Sequence, residues 1–309
     1  MAKLELLVTP HTFEDILPLA EAGADAFVVG EMRYGLRLAG EFNREQVKKA
    51  IELGHSQGKK VYVAMNAIFH NEKANELSEY IRFAADANAD AIIFGDPAVL
   101  MAAREAAPEM KLHWSTETTG TNWYTCNYWG RKGAKRAVLA REINMDAIIE
   151  IKENAEVEIE VQVHGMSCMF QSKRSLLGNY YEYQGKVLEI ENRKLQDQMF
   201  LHDKERGNKY PIFEDENGTH IMSPSDMCMI DELQDMLDAG VDSFKIDGIL
   251  KSAEYLLEVT KAYREAIDLF MEDPDLYEDK KNELLARIEE IQPTNRSLDT
   301  GFFFKETVY

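Results

Sequence analysis

Polar residues recur in this chain just past short apolar runs: Thr9 and His11, Glu31, Asn66, Asp96, Ser115 to Glu117, Arg141-Glu142, His164 and Asp247. The mixture suits a small polar or anionic ligand. Arg37 and Arg141 carry the forked guanidinium that clamps a carboxylate or phosphate. Glu31, Glu117 and Glu142 are of the type that moves protons. Glu117, Arg141, Glu142 and His164 are therefore taken as catalytic candidates, and Glu31, Arg37, Asn66, Asp96 and Ser115 as ligand contacts. Some of these residues are polar only because loop ends face water. His164 and Cys168, four apart, invite a thiolate–imidazole pair. The spacing alone favours a plainer reading, with His164 closing a strand and Cys168 as a small buried filler. No Cys-x-x-Cys, His-Glu-x-x-His, Gly-x-Ser-x-Gly or P-loop pattern occurs, so no metal site is expected.

The elements that must position these groups follow a strand–helix rhythm. Apolar, β-rich runs fall at Glu5–Val8, Ala26–Val29, Val61–Met65, Ala91–Phe94, Lys111–Trp114, Arg136–Leu139, Ile159–Val163 and Ser243–Ile246. Between them lie helical patterns such as Asn43–Gln57, with Val47, Ala50, Ile51 and Leu53 towards one side. One device ends several helices: Gly23-Ala24-Asp25-Ala26, Asn88-Ala89-Asp90-Ala91, Gly133-Ala134-Lys135-Arg136 and Gly240-Val241-Asp242-Ser243. Gly or Asn supplies the left-handed residue that stops the helix before a buried strand. Eight such units predict an α/β fold of the (β/α)8 TIM-like barrel class, with chemistry at the C-terminal strand ends. A doubly wound sheet is the alternative, but no Gly-x-Gly-x-x-Gly follows the first strand. The predicted barrel spans 1–270, with an insertion at 164–224 after the seventh strand. Residues 271–309 form a C-terminal helix and tail, in which Phe302, Phe303 and Phe304 are expected to tuck against the barrel.

Composition narrows the function classes. Of 309 residues, 35 are Lys or Arg and 55 are Asp or Glu, for a net charge of −20. That argues against sequence-blind coating of nucleic acid, which needs many phosphate-neutralising cations. No apolar run approaches the roughly 18–20 residues that span a membrane. Glu5 interrupts any signal-peptide core, and three cysteines make no disulfide framework, so a cytoplasmic protein is expected. The oligomeric state, homomeric or heteromeric, stays open. The stretch from Trp123 to Arg141 is a basic island: Arg131, Lys132, Lys135, Arg136 and Arg141 are interleaved with Trp123, Tyr124, Tyr128 and Trp129. Aromatic and cationic residues together suit RNA contact, with Trp123 and Tyr124 the better candidates.

Taken together, Gly23 to Gly30, His113 to Glu117, Val138-Leu139-Ala140-Arg141-Glu142, Val163-His164-Gly165-Met166-Ser167-Cys168, Asp226-Met227-Cys228, Lys245 to Gly248 and Tyr263-Arg264 resemble the peptidase U32 family, over nearly the whole chain. The wording and length are similar to its shorter members. The resemblance implies one of two activities. Some members were labelled peptidases or collagenases. Better-understood members are needed to place oxygen on C5 of a pyrimidine, notably 5-hydroxyuridine at the tRNA wobble position, in a prephenate-linked pathway. Those members carry four cysteines for an iron–sulfur cluster. Cys168 and Cys228 match the first and fourth, Ser175 stands at the second, and 178–195 holds no third. The resemblance therefore implies that this chain alone binds no cluster. It implies tRNA and a cysteine-complete paralogue as partners, with a non-catalytic scaffold as a further alternative.

Overall fold

The computed structural model describes residues 4–116, 119–186 and 199–306. Seven parallel strands follow one another in space as in sequence: β1 (Glu5–Val8), β2 (Ala26–Val29), β3 (Lys60–Met65), β4 (Ala91–Phe94), β5 (Leu112–Trp114), β6 (Ala134–Val138) and β7 (Glu158–Gly165). The chain then builds β8 (Cys168–Ser172), β9 (Met199–His202), β10 (Lys209–Asp215), β11 (Gly218–Met222) and β12 (Asp226–Cys228) before β13 (Ser243–Ile246) and β14 (Leu298–Asp299). Strand β13 pairs in parallel with both β1 and β7, which closes an eight-stranded parallel barrel ringed by helices. The eight apolar runs read from the sequence are these strands, displaced by two residues or fewer at any end.

The helix stops are where the pattern placed them. Gly23, Asn88, Gly133 and Gly240 all have positive φ, between 61° and 108°. At Gly23 the reason is also steric: a Cβ there would run into the Arg264 side chain, at 2.3 Å. The helix Arg44–Ser56 opens on a capping box between Asn43 and Gln46.

Two different cores result. The outward side chains of the strands and the inner faces of the helices form one continuous apolar shell. The barrel interior is apolar on one side only, with Leu7, Val28, Tyr62, Ala64 and Ile93 capped by Leu38. Its other side is ionic. Arg136 on β6 donates to Glu5 on β1 at 2.6 Å and to Glu160 on β7 at 3.2 Å, while Tyr62 on β3 donates to Glu5 at 2.6 Å. Strand β1 is a neighbour of neither β6 nor β3, so the bonds to Glu5 tie the barrel across its lumen.

This burial splits the basic island. Strand alternation sends Lys135 outward and Arg136 inward, where it is 2% exposed. Arg141 rises to the barrel mouth, and Arg131 and Lys132 end the helix Trp123–Arg131 on the opposite side. The five cations therefore make no single surface. Trp123 and Tyr124 do stack at the start of that helix, ring centroids 3.5 Å apart, with Tyr124 exposed.

In the insertion, β8, β11, β10 and β9 form a four-stranded antiparallel sheet against which the helix Leu176–Tyr183 packs. At the C-terminus, the helix Pro274–Ile291 packs on the helix Ala253–Glu272. The following segment is pinned by Asp226, which accepts from Arg296 at 2.7 Å and from Gln292 at 2.6 Å. Of the three phenylalanines expected to tuck inward, only Phe303 is buried; the turn that carries them leaves Phe302 and Phe304 exposed.

Candidate functional site

The segment after β2 folds back over the barrel mouth. Asn66, at the end of β3, accepts from the Leu36 backbone N–H at 2.9 Å, and Arg37 takes a left-handed backbone with φ of 47°. A side chain held in that region is strained and needs its surroundings to fix it. The inserted sheet supplies them. The Arg37 guanidinium donates to Gln171 Oε1 at 3.2 Å and lies 3.4 Å from His220 Nδ1. Asn217 donates to the carbonyls of Met32 at 2.8 Å and Gly35 at 3.1 Å. The insertion thereby docks on this loop, and Phe213 and Met222 of its sheet also pack on Ile249 and Leu250 after β13.

Two cavities meet at Arg37 and Asn66, which line both. The inner one, about 40 Å³, sinks into the barrel between Thr9, Ser115, Arg141, Gln162, Lys245 and Asp247. The outer one, about 540 Å³, lies between the strand-end loops and β8, bounded by Ile68, Asp96, Glu142, Cys168, Met169 and Phe170. In the inner cavity, Asp247 is shared by Lys245 at 3.2 Å and Arg141 at 3.6 Å. Glu160 lies below, where burial raises its carboxyl despite Arg136 and Lys245. The inner cavity is thus lined by Arg37, Arg141 and Lys245 against Asp247 and Glu160, a carboxylate already engaged by Arg136. The balance of the inner cavity is cationic and suits an electron-rich ligand edge.

Of the residues singled out from sequence, Arg37, Asn66, Ser115 and Arg141 meet at the inner cavity, and Asp96 and Glu142 border the outer one. Asp96 also caps the helix Pro97–Ala106, accepting from Ala98 N–H at 2.9 Å. Glu31 lines neither cavity and pairs with Arg44 at 3.3 Å. Glu117 lies outside the described residues. His164 is fully buried behind the site. Its Nε2–H donates at 2.8 Å to Tyr255, whose own hydroxyl donates to Gln292, and Tyr263 Oη lies 3.4 Å from Nδ1. Burial pushes the imidazole down to about 3, so it stays neutral. Both ring nitrogens face tyrosines, and no thiolate–imidazole pair with Cys168 forms. The cause is the register: β12 sets Cys228, not Cys168, against His164. Cys168 instead borders the outer cavity, its thiol donating to the Phe170 carbonyl at 3.3 Å.

Sequence reasoning missed Gln162, Lys245, Gln171 and His220 as site residues. The first two alternate inward on β7 and β13, a signal available in principle. The others depend on how the insertion docks, which no local pattern reports.

The donor set does not fit a four-thiolate cluster. The chain has three cysteines. Cys126 sits in the core, and burial raises its thiol to about 11. Burial pushes the Cys228 thiol up to about 12, against the deprotonation that ligation requires. Among the described residues no group of three or more His, Cys, Asp or Glu is placed to hold a metal ion, and no helix is long and apolar enough to cross a membrane.

Comparison with known proteins agrees with this architecture. The chain is 73% identical over 309 residues, all of both chains, to tRNA hydroxylation protein P2 of Bacillus subtilis (strain 168). It is 33% identical over 310 residues to tRNA hydroxylation protein P of Escherichia coli (strain K12), covering 87% of this chain and 68% of that one. The solved structure of the U32 peptidase Mk0906 superposes with a TM-score of 0.51 at 12% identity, covering 80% of this chain and 93% of that chain, a likeness of fold. The model of peptidase family U32 matches residues 11–308, and the chain belongs to that family.

Proposed function

We propose that this chain is a cytoplasmic component of tRNA wobble-uridine hydroxylation, the step that forms 5-hydroxyuridine, and that it acts with a cysteine-complete paralogue. The observation that carries the reading is the 73% identity, end to end, with a protein named for tRNA hydroxylation. The site is compatible with it. An outer cavity of about 540 Å³ is of nucleoside size, and the exposed Tyr124, stacked on the half-buried Trp123, offers a face for an unpaired base. With a net charge of −20, the chain is poorly equipped to hold tRNA phosphates by itself. The partner is therefore assigned both the phosphate contacts and the iron–sulfur cluster that this donor set does not fit. A peptidase reading is less supported, because His164 faces tyrosines and serves no nucleophile.

Nucleoside mass spectrometry of total tRNA from a strain lacking the gene tests the proposal. The expected result is loss of 5-hydroxyuridine and its derivatives, restored by the gene in trans. An unchanged nucleoside profile, persisting when cysteine-complete paralogues are also deleted, would refute it. A second measurement addresses the division of labour. Protein purified anaerobically without its partner is expected to contain neither iron nor sulfide in stoichiometric amount; a full cluster would return the redox step to this chain.

A further inference from the structure

We infer that Gln162 is the base-reading residue of this site, its side-chain oxygen accepting the N3–H of a uracil ring whose imide edge enters the inner cavity. This rests on the proposed role in uridine hydroxylation and adds how the base is told from cytosine. Gln162 is 5% exposed and lines the inner cavity. Its Nε2 donates to the Met166 carbonyl at 3.1 Å, which fixes the orientation of the amide. Its Oε1 is buried and has no donor among the described residues. An acceptor left so is costly, and a ligand N–H would remove that cost.

The neighbours complete the pattern. A uracil imide edge reads acceptor, donor, acceptor, so its complement reads donor, acceptor, donor. Gln162 supplies the acceptor, and the cations Arg141 and Lys245, held in the same cavity by Asp247, supply donors for the two carbonyls. Cytosine would set its N3 lone pair against the Gln162 oxygen and its amino group against a cation. Size agrees. At about 40 Å³ the inner cavity is far smaller than the outer one of about 540 Å³, so a ring edge enters and a nucleoside does not. Ribose and the C5–C6 side of the ring then occupy the outer cavity, past Arg37 and Asn66, where C5 faces the open side.

Ligand-observed NMR on the purified chain, with uridine, 3-methyluridine and cytidine as probes, tests this directly. Uridine is expected to bind at least about tenfold better than the other two, because each leaves the buried oxygen unpaired. Gln162→Leu, checked for an unchanged melting temperature, is expected to abolish that preference, and Gln162→Glu, which keeps an acceptor oxygen, to retain part of it. Equal binding of the three nucleosides, no binding of any, or a preference that survives Gln162→Leu overturns the inference. In the deletion strain, wild type is expected to restore 5-hydroxyuridine and Gln162→Leu to restore less than about a tenth of it. Restoration by both removes the role of Gln162 and leaves the functional reading standing. If wild type itself restores nothing, the functional reading falls, and this inference with it.

Discussion

Replacing Arg141 with alanine is expected to reduce 5-hydroxyuridine in tRNA by more than about tenfold while leaving the protein folded. Arg141 lines the inner cavity and shares Asp247 with Lys245. The substitution removes a cation aimed at the ligand, but Asp247 keeps the closer Lys245, at 3.2 Å, and is not left uncompensated. The stability cost is therefore that of removing one partner from a largely buried charge cluster that keeps its other cation, roughly 1–3 kcal/mol. Arg141→Lys restores the charge without the fork and is expected to fall between alanine and wild type. The measurement is a nucleoside profile of the complemented deletion strain, alongside the melting temperature of each purified variant. A wild-type profile for Arg141→Ala would remove the residue from the site. A collapsed melting temperature would make it structural instead.

Arg136→Ala is expected to do the opposite and damage the fold. Arg136 is buried across the barrel lumen between Glu5 at 2.6 Å and Glu160 at 3.2 Å, with Glu158 at 2.8 Å on the rim. Removing it takes the ion pair from the buried Glu160 and leaves Glu5 with Lys60 at 3.1 Å as its cation, a loss of roughly 3–5 kcal/mol. At this chain length that is a fall in Tm of roughly 5–8 °C. Replacing Arg136, Glu5 and Glu160 together by apolar residues of similar size is expected to recover most of it, because the charges then vanish as a set. If Arg136→Ala melts within about a degree of wild type, the network contributes no net stability.

The same cluster predicts the acid limb of stability. Burial alone would raise the Glu5 carboxyl, but Arg136, Tyr62 and Lys60 outweigh it and hold it down from 4.5 to about 2. A carboxylate with a depressed native value stabilises the fold above its unfolded value and loses that contribution as pH falls through the native one. The contribution of Glu5 is therefore expected to fade between about pH 4.5 and pH 2, on the order of 3 kcal/mol in all. Glu160 works the other way, since burial raises it. Its contribution is present below about pH 4.5 and is lost as pH rises through its native value, a window above the one in which Glu5 acts. Glu5→Gln is expected to flatten the stability profile below pH 4.5; an unchanged acid limb would show that Glu5 does not set it.

What the sequence determined by itself is the sequence of local elements. The eight strands were legible because each is a short apolar run, and β2, β4, β6 and β13 also follow a residue that adopts positive φ; both signals are carried by neighbours in the chain. Closure into a barrel followed from their number and spacing. The strand-end rule also brought Arg37, Asn66, Ser115 and Arg141 to one cavity. Tertiary structure decided the rest. It placed Arg136 inside the lumen, although its neighbours read as a basic surface, because alternation tells that two residues face opposite ways but not which way is inward. It decided between the two readings of His164 that the spacing left open, making it a neutral core histidine, because the pairing of β12 with β7 is fixed over more than sixty intervening residues. It also put Gln162, Lys245, Gln171 and His220 into the site. Their contacts arise only when the barrel closes and the inserted sheet docks, and long-range packing of that kind leaves no periodic trace in the chain.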